Sequence, residues 1–370
     1  MTGCYNATVL DSQASSFVRE RLQDVSLIDT PMDKRGRVVI VVPVHRELVY
    51  RVVNLLMSLA RQRGLGEGVL EVLCVVNNGP DDGTKIWKAA KQANQLVLDL
   101  PLWRNRDGFG SHLRFPEEVL DACQEIRESI PVFAIDAPSL PSATVGEACN
   151  RGLAEATVRF DRAGKNGLVI FLGADNVVDD PEFLLKALHL FESNPKLVAG
   201  TAGVRMIFDP DTRDEKERAF IAESIENVLR RKRMMFLERF RQGQDVGLMA
   251  KDAFLVLMAR SADAAAWSGF PDWNRNEDSM FGYAAKRYAL EKGGEVRDVK
   301  DQLSIVSALR DSDRTAASLK PKLEEERGRE SVSIEEYEAL ERLVGASKEG
   351  RELIDYMEEP AHILWEDYKG

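Results

Sequence analysis

The sequence has little sulfur and little histidine. Four cysteines (Cys4, Cys74, Cys123 and Cys149) and four histidines occur in 370 residues. No two cysteines form a C-x-x-C pair, which removes the usual signature of a zinc ribbon or a redox dithiol. Cys74 and Cys149 lie in apolar or helical stretches and read as small core residues, so a reduced, cytoplasmic compartment is expected. His45, His112, His189 and His362 show no metal-ligating spacing, and His189 reads as packing or surface. Long apolar runs are missing too. None approaches the roughly 18–20 residues that span a bilayer, and Val38–Val44 and Phe254–Ala259 are of strand length. The polar N-terminus has no apolar h-region, so no secretory signal and no transmembrane segment are expected. Positive charge is in deficit: 50 Lys and Arg against 61 Asp and Glu leave a net charge of -11. That argues against a general nucleic-acid binder or a basic membrane-surface protein, since both need surplus cations. A small anionic ligand needs only local positive charge and stays open. There is no internal repeat and no low-complexity tract.

What is present is an ordinary globular composition, 44% hydrophobic and 30% charged, with enough apolar residues for a large core. The length permits one large α/β domain with extensions or two modest domains. Residues 1–36 are polar and weakly patterned and read as an N-terminal extension, with a helix over 15–28. The chain then alternates. RVVIVVP (37–43) is a buried-strand run stopped by proline. Residues 47–63 carry helical spacing through Val49, Val52, Val53, Leu56 and Leu59. EVLCVV (71–76) is a second strand, ended by Asn77-Asn78-Gly79-Pro80. A helix is expected over 83–94, a loop over 100–116 and a strand at 131–136. Thr144 and Glu147 form a capping box that opens a helix to about residue 160. A strand at 167–172 and a helix at 181–192 follow.

This alternation predicts a mostly parallel sheet with helices on both faces. The pattern changes after Phe208. Residues 209–250 are highly charged, with Arg230-Arg231-Lys232-Arg233 inside an expected long helix. That basic run reads as a solvated helix face, or as an approach for an anionic acceptor. A strand over 254–259, a helix over 277–292 and a strand over 302–308 come next. An acidic tail of amphipathic helices follows residue 320. The implied division is an N-terminal extension over 1–36, a main α/β domain over 37–315 with the charged helical segment 209–250, and a helical tail over 316–370.

In open α/β sheets ligands bind outside the carboxyl ends of the strands. The residues there are Pro43 to Glu47, Asn77 to Gly79, and Gly173-Ala174-Asp175-Asn176. Each group is polar or turn-forming directly after an apolar strand. Asp175, with an amide beside it, is a hard-oxygen group suited to Mg²⁺ or Mn²⁺; as a lone loop aspartate it equally suits a turn or a cap. The segment from Trp267 to Asp278 sets glycine, aromatics and the Glu277-Asp278 pair ahead of a helix. Those carboxylates suit a helix N-terminus, or one of them suits a general base for a hydroxyl.

These stretches, taken together, resemble the family 2 glycosyltransferases of the GT-A fold. The resemblance runs over roughly residues 37–310. It is carried by VVIVVPVHRE ending at Glu47, EVLCVVNNGPDDGT (71–84), Asn150 and Gly152, GLVIFLGADNVV (167–178) and WSGFPDWNRNEDSMFGYAAKR (267–287). It implies a GT-A (nucleotide-diphospho-sugar transferase) fold with helical N- and C-terminal extensions. It also implies sugar transfer from a nucleotide-sugar donor to an acceptor hydroxyl, with inversion and with a divalent metal, Mn²⁺ or Mg²⁺.

By the same resemblance Pro43, Val44, His45, Glu47, Asn77, Asn78, Asn150 and Ala174 would contact the nucleotide sugar. Arg310 and Arg314 would meet the diphosphate, although both also suit a solvated charged turn. Asp175 would hold the metal. Asp278 would be the base, with Glu277 beside it. The chain departs from the family pattern in three places. Asn77-Asn78 stands for the family's Asp-Asp, Gly173 removes the first metal carboxylate, and Cys149 stands where an Arg is often found. A retaining enzyme of the glucosyl-phosphoglycerate or mannosylglycerate synthase type, and a catalytically inactive nucleotide-sugar-binding protein, are the alternatives. A sugar-1-phosphate nucleotidyltransferase fits less well, because no glycine-rich loop follows the first strand. A homo-oligomer is possible.

Overall fold

The computed structural model describes residues 10–22, 27–45, 49–77, 91–92, 94–95, 97–99, 117–137, 144–208, 230, 233–244, 256–270, 277–299, 302–309 and 333–358. The chain divides into two compact units: residues 1–203 with 256–305, and residues 204–255 with 306–370.

The first unit is a sheet with helices on both faces. Its strands are β1 (Val38–Val44), β2 (Leu70–Asn77), β3 (Val132–Ala137), β4 (Leu168–Phe171), β5 (Asn176–Val177), β6 (Leu197–Phe208), β7 (Val256–Arg260), β8 (Glu295–Asp298) and β9 (Ser304–Leu309). Strands β6 and β9 run on past the end of the unit. The order β3-β2-β1-β4-β7-β6 forms the body of the sheet, and β8 also pairs with β6. Pairing is parallel from β3 through β4 and between β6 and β8, and antiparallel on both sides of β7. The mostly parallel, helix-covered α/β sheet that the alternation predicts is therefore present.

The helices are α1 (Ser12–Leu22), α2 (Val49–Ala60), α3 (Glu117–Ser129), α4 (Val145–Arg162), α5 (Phe183–Ser193), α6 (Ser261–Ala266) and α7 (Glu277–Lys292). Successive residues of a strand face opposite sides of a sheet, and here both sides are covered. Val39, Val41, Leu73, Val75 and Val169 share one core cluster with Phe17 and Val18 of α1, Leu153 of α4, Ala264 of α6 and Phe281 of α7. Val38, Ile40, Val42 and Val72, on the other side, are fully buried as well. That two-sided burial is why the strands read as continuous apolar runs rather than alternating ones.

Helix α4 is the spine of the first face. Thr144 caps it, its hydroxyl accepting from the Glu147 N–H at 3.2 Å. Gly152 brings it close to the sheet, because a Cβ there would lie 2.4 Å from Val41 Cγ1 and 3.1 Å from Val75 Cγ2. Near its other end, Arg159 makes a two-pronged pair with Glu71, Nε to Oε2 at 2.8 Å and Nη2 to Oε1 at 2.9 Å. Both side chains are almost wholly buried. The same guanidinium donates to Thr30 O at 2.7 Å and lies 4.8 Å from the Phe133 ring centre. Removing one member of such a buried pair costs about 3–5 kcal/mol.

The second unit has its own small core. Residues 233–241 are helical, and α8 (Ile334–Val344) and α9 (Lys348–Glu358) follow late in the chain. Phe236, Leu237, Val344, Leu353 and Ile354 form its buried cluster. Ser333 caps α8 by accepting from the Glu336 N–H at 3.0 Å. Two helices stand in the acidic tail, as its amphipathic spacing predicts.

Candidate active site

Strand order locates the site. Sequence runs from β1 to β2 to β3 on one side of β1, and β4 then pairs on β1's other side. A reversal of this kind leaves a crevice outside the carboxyl ends of the two strands, the place where open α/β sheets take ligands. Pro43 deepens it. The β1–β4 pairing ends at Val41 and Phe171, and Leu172 N–H donates to Val41 O at 3.1 Å. Residue 43 has the same parity as Val41, so its backbone N–H would face β4, and proline has none. Pairing with β2 runs on to Val44 and Val76. The sheet is thus complete on one side of β1 and opened on the other.

His45 follows β1 directly. Its Nδ1 lies 2.9 Å from Asn77 O at the end of β2. A carbonyl only accepts, so Nδ1 carries a proton and donates. Asn94 Nδ2 donates to the same carbonyl at 3.2 Å. Asn77 and Asn94 are 2% and 1% exposed, so the end of β2 is pinned by two side chains. Nothing in the local sequence marks Asn94, which lies in an expected helix 17 residues downstream.

Beyond β4 the chain turns sharply. Gly173 N–H donates to Asn176 Oδ1 at 2.6 Å, and Asn176 N–H donates to Gly173 O at 3.0 Å. Asp175 stands on this turn, half-buried. A Cβ on residue 173 would lie 2.6 Å from Asp175 Oδ1. The glycine at 173 therefore leaves room for the Asp175 carboxylate in its present position. Ala174 is 1% exposed and Val44 fully buried, so anything these two offer a ligand comes from their backbone.

The first turns of α7 are tied to the same edge. Phe281, one helical turn beyond Glu277, lies 5.6 Å from Phe171 at the end of β4 and 4.4 Å from Phe270, centre to centre. Phe270 and Phe171 are 4.9 Å apart, edge to face. One turn rises 5.4 Å, so the Glu277–Asp278 backbone begins close to this aromatic knot. The side chains of Glu277 and Asp278, and the whole of Glu47, Asn78, Arg310 and Arg314, lie outside the described residues. Pro43, His45, Asn77 and Asp175 therefore sit at the carboxyl edge, on β1, β2 and the turn after β4.

Asn150 is different. It is 1% exposed, and its amide is bonded to the backbone of Phe270. The resemblance implies a ligand contact for Asn150, and no local signal marks this partner 120 residues away.

No family model matches the chain, and no curated protein matches it in sequence. Solved structures share parts of its form. A mannosyltransferase from Pyrobaculum calidifontis, PcManGT, in complex with GDP-Man and Mn²⁺, is 13% identical over 93% of this chain and 86% of its own, with a TM-score of 0.42. The glucosyl-3-phosphoglycerate synthase from Mycobacterium tuberculosis, in complex with Mn²⁺, UDP and glucosyl-3-phosphoglycerate, is 15% identical over 78% of this chain and 77% of its own, with a TM-score of 0.35. S. aureus TarS is 13% identical over 87% of this chain, with a TM-score of 0.40, and this chain spans 42% of TarS. At these scores the likeness carries no activity, substrate or metal across.

Charge distinguishes the two edges of the sheet. The amino edge holds a cavity of about 360 Å³ lined in part by Arg37, Lys165 and Arg260. Its cations are already engaged. Arg37 pairs with Glu192, Lys165 donates to the carbonyls of Lys34 and Gly36, and Arg260 donates to those of Leu197 and Phe191. The carboxyl edge offers a turn with a half-buried carboxylate, Asp175. Among the described residues no group of three or more His, Cys, Asp or Glu side chains could hold a metal alone. One carboxylate still fits a divalent ion that takes its other oxygens from phosphates and water, the habit of Mg²⁺. No described helix is long and apolar enough to cross a membrane.

Proposed function

We propose that this chain is a glycosyltransferase that takes a nucleotide-sugar donor at the β1–β4 crevice and passes the sugar, with inversion, to an acceptor hydroxyl. The observation that carries the reading is the reversal of strand order at β1 and β4, flanked by His45 and Asn77 on one side and by the turn of Asp175 on the other. The sequence resemblance supplies the roles. The ends of β1 and β2, at Pro43 to His45 and at Asn77, take the nucleoside, with the backbones of Val44 and Ala174 beside it. Asp175 faces the diphosphate and is the ligand for Mn²⁺ or Mg²⁺. A divalent ion there offsets the charge of the departing diphosphate as a Lewis acid. Asp278 removes the acceptor proton, with Glu277 orienting, and the diphosphate leaves from the opposite face. The donor sugar, the base and the acceptor are not assigned.

Titration calorimetry with UDP, GDP, ADP, CDP and their sugars, with and without Mn²⁺, tests the reading. At least one should bind in a metal-dependent manner. Asp175→Ala should abolish the metal-dependent part while melting as the wild type does. Asp278→Asn should keep the donor affinity and lower kcat by about 10²–10⁴-fold, the usual worth of a general base. Retained anomeric configuration in the product, or turnover within a few-fold in Asp278→Asn, would move the retaining alternative ahead. Metal-dependent binding without any transfer or hydrolysis would favour the inactive binder.

A further inference from the structure

Asn150 holds one residue at both ends. Its Nδ2 donates to Phe270 O at 2.7 Å, and Phe270 N–H donates to its Oδ1 at 2.7 Å. Exchange of both backbone bonds with a single residue is what a strand neighbour does in an antiparallel ladder. Here one side-chain amide does it, fully buried, from the second turn of α4.

The two residues ahead of Phe270 are left-handed: Ser268 has φ 71° and Gly269 φ 61°. A serine in that region persists only where its surroundings over-determine it. Gly269 cannot be exchanged lightly either, since a Cβ there would fall 2.3 Å from Asn150 Oδ1. The ring of Phe270 is held independently between Phe171 and Phe281. The turn is thus fixed by its backbone from α4 and by its ring from β4 and α7. Helix α4 is itself seated on β1 and β2 at Gly152. Tight contacts thus lead from the strands of the crevice through Asn150 and Phe270 to Phe281, one turn into the helix that Glu277 and Asp278 begin.

We infer that Asn150 is a positioning residue for the acceptor side of the transfer reaction, a role that rests on the glycosyl-transfer reading. It sets the height and angle at which the Glu277–Asp278 segment meets the crevice, and it does not touch the donor. Misplacement of a reacting group by about 1 Å can cost 10²-fold in rate, so losing the latch should appear in turnover and not in donor affinity.

Two variants test this. Asn150→Ala removes both bonds. Asn150→Asp keeps the volume and the acceptor for Phe270 N–H, but sets a carboxylate against Phe270 O, and it serves if the alanine variant does not fold. Hydrogen exchange should rise at least tenfold in peptides covering 267–283 and stay unchanged in those covering β1, β2 and β4. The Kd of the nucleoside diphosphate identified for the wild type should stay within about twofold, while kcat falls about 10–100-fold. Unchanged exchange over 267–283 overturns the latch. A tenfold weaker Kd at unchanged kcat overturns the positioning role and makes Asn150 a ligand contact. A wild type that binds no nucleoside diphosphate sinks the glycosyl-transfer reading and the acceptor role with it, and the exchange result then decides only whether Asn150 holds the segment.

Discussion

Asp263, in the first turn of α6, accepts from the Tyr288 hydroxyl at 3.0 Å and from Asn166 Nδ2 at 3.3 Å. Burial is the largest influence on its carboxyl and pushes its pKa above the ordinary carboxylate value. The two hydrogen bonds and Arg260 pull the other way, and Asp11 adds to the rise. Burial likewise pushes up the Tyr288 phenol. The sign for stability follows. With the folded value above the unfolded one, the native state binds the proton more tightly. Its contribution is complete below the unfolded value, near pH 3.8, and is lost as pH rises through the folded value. An asparagine keeps the shape and one of the two acceptors without the charge. The melting temperature of Asp263→Asn should therefore gain on that of the wild type between pH 4 and 7, read from parallel scans. A constant difference across that range would show that the carboxyl stays near its ordinary value. None of this is legible in SADAAAW: the partners arrive from residues 166 and 288, and only burial makes the aspartate unusual.

At the scale of elements, Gly152 decides between two effects. Helix propensity favours Ala over Gly by about 1 kcal/mol, whereas a Cβ 2.4 Å from Val41 Cγ1 forces overpacking that costs about 1–3 kcal/mol. The clash should offset or exceed that gain, so Gly152→Ala should lower stability by up to about 2 kcal/mol in urea unfolding; a net gain would mean that α4 can back away from β1. The elements that sequence reading found share a clear period. Strands β1, β2, β4 and β7, and helices α2, α4, α5 and α7, bury whole runs or one whole stripe. The elements it passed over lack that signal. In LVAGTAGVRMIF, strand β6 carries Gly200 and Gly203, which depress strand propensity. EVRD of β8 is charged and four residues long. Helix α3 is an exception, since Val119, Cys123, Ile126 and Ile130 do carry helical spacing. The candidate site divides in the same way. Strand ends were legible because proline, asparagine and glycine stand directly after apolar runs. The Asn150–Phe270 and Asn94–Asn77 bonds were not, because each joins residues that only the folded chain brings together.

For the molecule as a whole, three described cysteines, Cys74, Cys123 and Cys149, are buried and none forms a disulfide. Burial pushes the thiols of Cys74 and Cys123 up to about 12. Only the thiolate attacks a disulfide reagent, so at pH 8 these two should stay silent in the native protein and react once it is denatured. Cys74 lies within β2 and Cys149 within α4, so their rate of labelling in mild denaturant reports the opening of the first unit. Rapid labelling of Cys74 in buffer alone would contradict the burial of β2. The carboxyl edge, the β1–β4 crevice and the latch of Asn150 all belong to this first unit, whose chain departs after Gly203 and returns at Val256.

That detour has a consequence for how the protein is made. Strand β7 separates β4 from β6 and bonds to both, yet it is synthesised after both, some 85 residues downstream of Phe171. A ribosome adds about 5–20 residues per second. For several seconds, therefore, the edge of β4 that faces away from β1 exists with no strand to close it, and an open, apolar edge is what other nascent chains pair with. Codon choice or pausing within 204–255 would lengthen that interval, and a holdase that recognises extended apolar chain would have its longest opportunity there.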